Sequence, residues 1–210
     1  MQSTPFRRYR EGVERTSFVE VDFESRTWDD LEFYQCQFSR CKFRGSRMSE
    51  LKTRECEFDE CEFNGASLAS SIHRSSAFLN CEFENADLFG ARFEKCRVIG
   101  CGFEGANLGA IVLTGGDWSY ANLRYQELDG LNLRGIRFKG ADLVGASLKK
   151  CDLGDSILDE AVLLHTKLQD SDLRGASLDK VDLRNAEWKG ARFDIAQAIY
   201  FAQCFGIIVE

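Results

Sequence analysis

Every fifth residue from Phe18 to Phe193 is apolar, and only Thr53 and His73 break the run. The residue two places earlier is usually small, as with Ala86 before Leu88, Ala106 before Leu108, Ala121 before Leu123 and Cys81 before Phe83. A period of five fits neither the 3.6 of a helix nor the strict alternation of an ordinary strand. If the small and the apolar residue both point inward, with one outward residue between them as in a strand, the other two must make a corner. Four such units close a square, so one coil takes 20 residues.

Folding the sequence at that interval stacks like on like. One face holds Phe23, Phe43, Phe63, Phe83 and Phe103, then Leu123, Leu143, Leu163 and Leu183, beside a small column of Cys41, Cys61, Cys81 and Cys101. Another runs from Trp28 through Leu68, Leu88, Leu108, Leu128, Leu148 and Leu168 to Trp188. Parallel coils about 4.8 Å apart predict nine coils roughly 43 Å long, with unpaired edges only at the two ends. No proline follows Pro5, as a continuous ladder requires. Twelve of the 18 glycines, among them Gly130, Gly135, Gly140 and Gly145, occupy the fifth place, where corners need permissive backbone angles.

The departures from the pattern are local. Thr53 and His73 lie 20 residues apart and so become neighbours on one face, read as a hydrogen-bonded pair or a local bulge with Leu51 or Ile72 supplying apolar volume. Gly116 facing Trp118 reads as volume compensation in a close-packed interior. Val112 on an outward register, with Tyr120 and Tyr125 on corners, makes 111–125 either a contact patch or ordinary scattered exposure. The frame never slips between 18 and 193, which leaves no room for large projecting loops. After Phe193, Asp194 as N-cap and Gly206 at C′ enclose a helix with apolar residues all round, which must be buried. One side can cover the end of the coil. The excess of Ile199, Tyr200, Phe201 and Phe205 calls for a second copy across a twofold axis. The expected division is therefore a tail or cap over 1–15, with Pro5, Arg7, Arg8 and Arg10, a β-helix over 16–193, and a helix and tail for dimerisation over 194–210.

Net charge of −7 and a pI near 5.1 disfavour direct binding to nucleic acid and suit a cationic partner surface. No apolar run of 18 residues and no signal segment occur, so no membrane and a cytoplasmic setting are expected. Eight of the nine cysteines, Cys36, Cys41, Cys56, Cys61, Cys81, Cys96, Cys101 and Cys151, fall on the small register, where Ala and Ser alternate with them. Cys36, Cys41, Cys56 and Cys61 imitate a four-thiolate zinc site, but the spacing is the repeat itself and puts consecutive cysteines on different walls. Free thiols and no metal are expected. With only His73 and His165, no phosphate-binding glycine loop and no Ser/His/Asp set, neither an enzyme nor a cofactor is indicated.

Good copies of the unit are Ala86-Asp87-Leu88, Ala106-Asn107-Leu108, Ala121-Asn122-Leu123, Ala141-Asp142-Leu143, Ser171-Asp172-Leu173 and Val181-Asp182-Leu183. They resemble the pentapeptide-repeat family, which implies an all-β, right-handed quadrilateral β-helix with, here, a short C-terminal helical cap. The ending Phe193-Asp194-Ile195-Ala196-Gln197-Ala198, an aromatic and Ala-rich helix, and Gly206 look similar to the mycobacterial and Qnr-type quinolone-resistance members. That resemblance implies a rod-shaped homodimer imitating duplex DNA, which binds DNA gyrase or topoisomerase IV and protects it from quinolones or a natural topoisomerase poison. Two rods end to end would span about 90 Å, or some 26 base pairs at about 3.4 Å each. The carboxylates assigned to the partner are Glu57, Asp59, Glu60, Glu62, Glu82, Glu84, Asp87, Asp142, Asp152, Asp159, Asp172 and Asp182. The dimer contact is assigned to Ile195, Ala198, Ile199, Ala202, Phe205 and Ile207. The alternative is a repeat scaffold for another protein, bound through 111–125.

Overall fold

The structure, a computed structural model, describes residues 12–209; Pro5, Arg7, Arg8 and Arg10 of the expected tail lie outside them. The chain winds as a four-walled parallel β-helix. Wall 1 contains β1 (Val13–Glu14), β3 (Glu32–Tyr34), β5 (Lys52–Arg54), β7 (Ile72–Arg74), β9 (Arg92–Glu94) and β11 (Val112–Thr114). Wall 2 contains β2 (Ser17–Val19), β4 (Gln37–Ser39), β6 (Glu57–Asp59), β8 (Ala77–Leu79) and β10 (Arg97–Ile99). Every pair is parallel and offset by 20, from Val13↔Phe33 to Leu113↔Phe93. Walls 3 and 4, centred on the Phe23 and Trp28 columns, are joined by single-residue bridges such as Asp22↔Lys42 and Thr27↔Arg47. The ladder already includes Val13, one unit before the expected start at residue 16.

Two phenylalanine ladders fill the first half of the interior. On wall 2, Phe18, Phe38, Phe58 and Phe78 stack with centroids 4.7 to 5.0 Å apart, and on wall 3, Phe23 to Phe103 stack at 4.8 to 5.2 Å. Those spacings equal the rise between coils, so rings stack because the backbone ladder sets their separation. Three-residue strands persist for about five turns, to Thr114, rather than for the nine coils expected. Beyond that point all four walls use single-residue bridges at the same offset, as far as Asp172↔Arg192.

The change follows from how corners close. At most units the small residue donates its N–H to the apolar residue three places back, as in Ser46 to Phe43 (3.0 Å) and Ala86 to Phe83 (3.0 Å). After a three-residue strand no such turn bond forms. Where the next coil stacks a Cys or Ser on the corner, that side chain faces the small residue's N–H instead: Cys36 N–H donates to Cys56 Sγ (3.4 Å) and Cys56 N–H to Ser76 Oγ (3.2 Å). The residues at these corners are Thr16, Val21, Cys36, Cys41, Cys56, Cys61, Ser76, Cys81, Cys96, Cys101 and Gly116, with no alanine among them. The expected free exchange of Cys with Ala is thus corrected: seven of the eight small-register cysteines mark open corners, where a methyl group could not accept the amide.

Corner residues at the fifth place take positive φ whether or not they are glycine, as at Glu60 (51°) and Gly130 (74°). Gly116 is different. Its φ is 105°, and a Cβ there would lie 2.3 Å from the Cys96 carbonyl oxygen, so backbone clearance rather than compensation for Trp118 requires the glycine.

The last coil is closed by α1 (Ile195–Cys204). Asp194 caps it, accepting from Gln197 N–H while the Gln197 side chain accepts from Asp194 N–H. Gln197 then donates through Nε2 to Leu173 and Ala176 carbonyls (2.6 and 2.7 Å), and Tyr200 Oη donates to the Val181 carbonyl (3.1 Å). The Ala176 and Val181 carbonyls have no further coil to bond, so the helix satisfies the open edge there, while the Leu173 carbonyl also accepts from Ala176 N–H. No helix among the described residues is long and apolar enough to cross a membrane.

Candidate interaction surface

Many surface carboxylates are paired with an Arg or Lys from the same or a neighbouring coil. Glu62 pairs with Arg44, Asp142 with Arg124 (3.0 Å), Asp152 with Arg134 (3.1 Å), Asp172 with Arg174 and Asp182 with Arg184 (2.8 Å). The adjoining guanidiniums hold the Asp172 and Asp182 carboxyls at about 2. Asp159 is occupied by Ser177 Oγ and by the Asp179 N–H (3.0 Å). In contrast Glu57, Asp59, Glu60, Glu82, Glu84, Asp87 and Glu104 have no Lys or Arg nitrogen within 4.0 Å among the described residues.

The coil brings these seven together. Glu57 and Asp59 stand on wall 2, Glu60 on the corner between walls 2 and 3, Glu82, Glu84 and Glu104 on wall 3, and Asp87 on wall 4. Between Arg44 and Arg124, wall 3 carries no Lys or Arg. Partial burial raises the pKa of Glu82, and Glu84 beside it adds to the effect. The opposite wall 1 is basic over the same coils, with Lys52, Arg54, Arg74 and Arg92, and Arg54 rests over the Tyr34 ring at 5.4 Å. The twelve carboxylates read from the sequence therefore split: those from 57 to 87, apart from Glu62, form one band without a cation, in which Asp87 accepts from Phe89 N–H and Asn107 and Glu84 from Asn64, while those from 142 to 182 are paired with Arg or, at Asp159, hydrogen-bonded to Ser177 and Asp179. Glu104, outside the twelve, joins the band because steps of 20 residues stack it with Glu84 and Asn64.

At the end of the coil, Ile195 (83% exposed), Ile199, Phe205 and Ile207 face outward, Ala198 is exposed and Ala202 is half-buried. Tyr200 and Phe201, expected in the outward excess, turn toward the coil, where Phe201 packs on Trp188, Phe193 and Phe205. Ile208 and Val209 are also exposed and extend the apolar surface beyond the assigned residues. The eight small-register cysteines are buried and unbridged, and no group of three or more metal-ligating side chains occurs among the described residues.

A four-walled parallel solenoid with five-residue sides, an uninterrupted register and a docked helix at one end defines a class of repeat scaffold that presents surface rather than a cavity. The chain belongs to the pentapeptide-repeat family, whose model, described as pentapeptide repeats, matches residues 36–72, 119–155, 146–185 and 156–194. No curated relative matches the sequence. Among solved structures it is similar to trypsin-treated QnrB1, described as a plasmid-mediated fluoroquinolone resistance protein, with a TM-score of 0.83, 24% identity, and coverage of 95% of this chain and 100% of that one. Full-length QnrB1 gives 0.82 at 22% identity, covering 93% and 100%. HetL of the cyanobacterium Nostoc sp. strain PCC 7120, described as involved in heterocyst differentiation regulation, gives 0.59 at 23% identity, covering 85% and 89%. At these identities the likeness establishes the fold.

Proposed function

We propose that this chain binds a type II topoisomerase, DNA gyrase or topoisomerase IV, in the manner of a DNA mimic, and shields it from quinolones or a natural topoisomerase poison. The observation that carries the reading is the band of carboxylates from Glu57 to Glu104, left without counter-cations beside a stretch of wall 3 that carries no Lys or Arg. Such a band suits the cationic surface of a DNA-binding enzyme and repels nucleic acid itself. The end-to-end likeness to a fluoroquinolone resistance protein supports the choice of partner. The exposed side of α1 supports a homodimer, since a twofold contact covers both apolar ends at once. Mimicry on this reading is local, about three coils of free charge rather than the whole rod.

The test is supercoiling by purified gyrase with increasing amounts of the protein, with and without a fluoroquinolone. Inhibition, or rescue from drug-induced cleavage, supports the reading; no effect in either assay, with enzyme from the source organism, sinks it. A scaffold for an unrelated protein is the second reading, supported by the likeness to HetL, which shows that this fold also accompanies a different described role.

A further inference from the structure

We propose that the contact surface on wall 3 has two parts, the free carboxylate band and an apolar strip directly downstream, and that together they receive a protein segment rich in Lys and Arg at one end and apolar at the other. The proposal rests on the topoisomerase reading for the identity of that protein.

Among the described residues outside α1 and those after it, the exposed large apolar side chains are Val19, Phe89, Val112, Tyr120, Tyr125, Val162 and Leu164. The last four gather on wall 3 or its two edges within three successive coils. Tyr120 and Tyr125 sit on the corners that flank the wall, at φ 60° and 59°. Each ring lies across the next coil's corner, where Gly140 and Gly145 stand; a Cβ at either position would come within 2.5 Å of the ring above it. The tyrosines are thereby held as two rails, 57% and 68% exposed. Val144 is buried between them, and Val162 and Leu164 continue the strip one coil further.

Between band and strip lies a bare row. Gly100, Gly102 and Gly105 share one coil, and Asn80, Glu82 and Asn85 lean over them, so that Glu104 alone rises from the row. Arg124, the one cation on wall 3 between Arg44 and Lys180, is tied to Asp142 at 3.0 Å and lies over the Tyr125 ring, so it does not offset the band. From Glu62 to Val162 is five coil steps, about 24 Å. The helix end of a second copy does not fit as the occupant, because residues 195–209 contain no Lys or Arg.

The experiment measures binding of purified gyrase to the full chain and to three variants. Tyr120→Gly with Tyr125→Gly removes the rails at corners where glycine is conformationally favoured, so the coil keeps its stability. Val162→Ser with Leu164→Asn removes the strip, and Glu82→Gln, Glu84→Gln with Glu104→Gln removes the band's charge. Losses of about tenfold or more in all three, with unchanged thermal midpoints, are expected for buried contacts. If the wild type and the tyrosine and strip variants bind alike within about twofold, the apolar half is wrong and the topoisomerase reading stands. If the wild type does not bind, both fall.

Discussion

His73 Nδ1 lies 2.8 Å from Thr53 Oγ1, the two polar residues of the inward register meeting across adjacent coils. The directions of the surrounding bonds fix the tautomer. Ser76 Oγ donates to the Arg74 carbonyl (3.1 Å), so it must accept from Thr53 Oγ1 (3.0 Å); Thr53 then accepts from Nδ1–H, and Ser71 Oγ donates to Nε2 (2.9 Å). Each polar hydrogen in this wholly buried chain is used once, and no proton is left to place on the ring. A neutral imidazole fills the aromatic slot, its centroid 4.7 Å from that of Phe93 with the rings tilted by 34°.

Burial holds the His73 pKa down at about 3, against an ordinary value near 6.5. Its folded value is depressed, so the stability it contributes is fully present above pH 6.5 and is lost as pH falls toward 3, at up to about 1.4 kcal/mol per pH unit. Urea unfolding at several pH values is expected to show that decline, and His73→Phe to flatten it between pH 6 and 4. Asp172 and Asp182, with folded values near 2, act in the same direction but only below about pH 4. An equal slope in wild type and His73→Phe above pH 4 would refute the assignment.

The cysteine corners give a sharper contrast. Cys61→Ala removes the sulfur that receives the Cys41 amide at an open corner, and a buried unpaired N–H costs about 1–3 kcal/mol. Cys61→Ser restores an acceptor and should recover most of it. Cys151 sits at a closed corner, where Leu131 N–H keeps the Leu128 carbonyl (3.4 Å), so Cys151→Ala is expected to cost less than Cys61→Ala. Equal midpoints for the two alanine variants in chemical unfolding would contradict the role given to the thiols.

Accessibility separates the ninth cysteine from these eight. Desolvation raises Cys96 and Cys151 to about 11, and all eight small-register thiols are buried, whereas Cys204 on α1 is partly exposed. A thiol reagent such as dithionitrobenzoate should therefore label one thiol per native chain and the remainder only on unfolding. Fast labelling of several thiols under native conditions would show that the coil opens far more readily than its packing suggests.

Two glycines of similar appearance in the sequence should respond differently to alanine. At Gly130 nothing lies within 4 Å of the place a methyl group would take, so Gly130→Ala should cost only the left-handed backbone term, about 1 kcal/mol. At Gly116 the methyl would meet the Cys96 carbonyl oxygen, carbon and amide nitrogen, all backbone, so Gly116→Ala should cost several-fold more. Thermal unfolding of the two variants decides the matter; equal shifts would mean that the Gly116 corner relaxes freely.

The walls, the stacking register and the helix caps were all legible in the chain because each rests on a local period or a local motif. The Thr53 and His73 pairing followed from a 20-residue separation alone. What stayed hidden depends on which neighbour a side chain meets in the next coil. Open and closed corners share the same inward pattern, so the cysteines read as generic small residues until the amide partners were visible. Likewise Asp142 and Glu84 are both outward carboxylates in sequence, and only the positions of Arg124 and Arg44 on the wound coil show that one is neutralised and the other free.

The dimer is the part of the proposal most easily tested alone. Ile195, Ile199, Phe205, Ile207, Ile208 and Val209 expose an apolar surface that the coil does not cover, and hydrophobic burial at roughly 25 cal/mol per Å² favours its closure by a like surface. In a twofold contact a residue near the axis approaches its own copy, so one substitution acts twice. Ile195→Glu with Ile199→Glu should place like charges in that contact while leaving Asp194, Gln197 and Tyr200, which anchor the helix to the last coil, untouched. Light scattering after size exclusion should then read the mass of one chain, 23.8 kDa, in place of twice that for the wild type, with the circular dichroism of the coil unchanged. A wild type that is already monomeric at tens of micromolar, or a variant that remains dimeric, would remove the helix end as the interface.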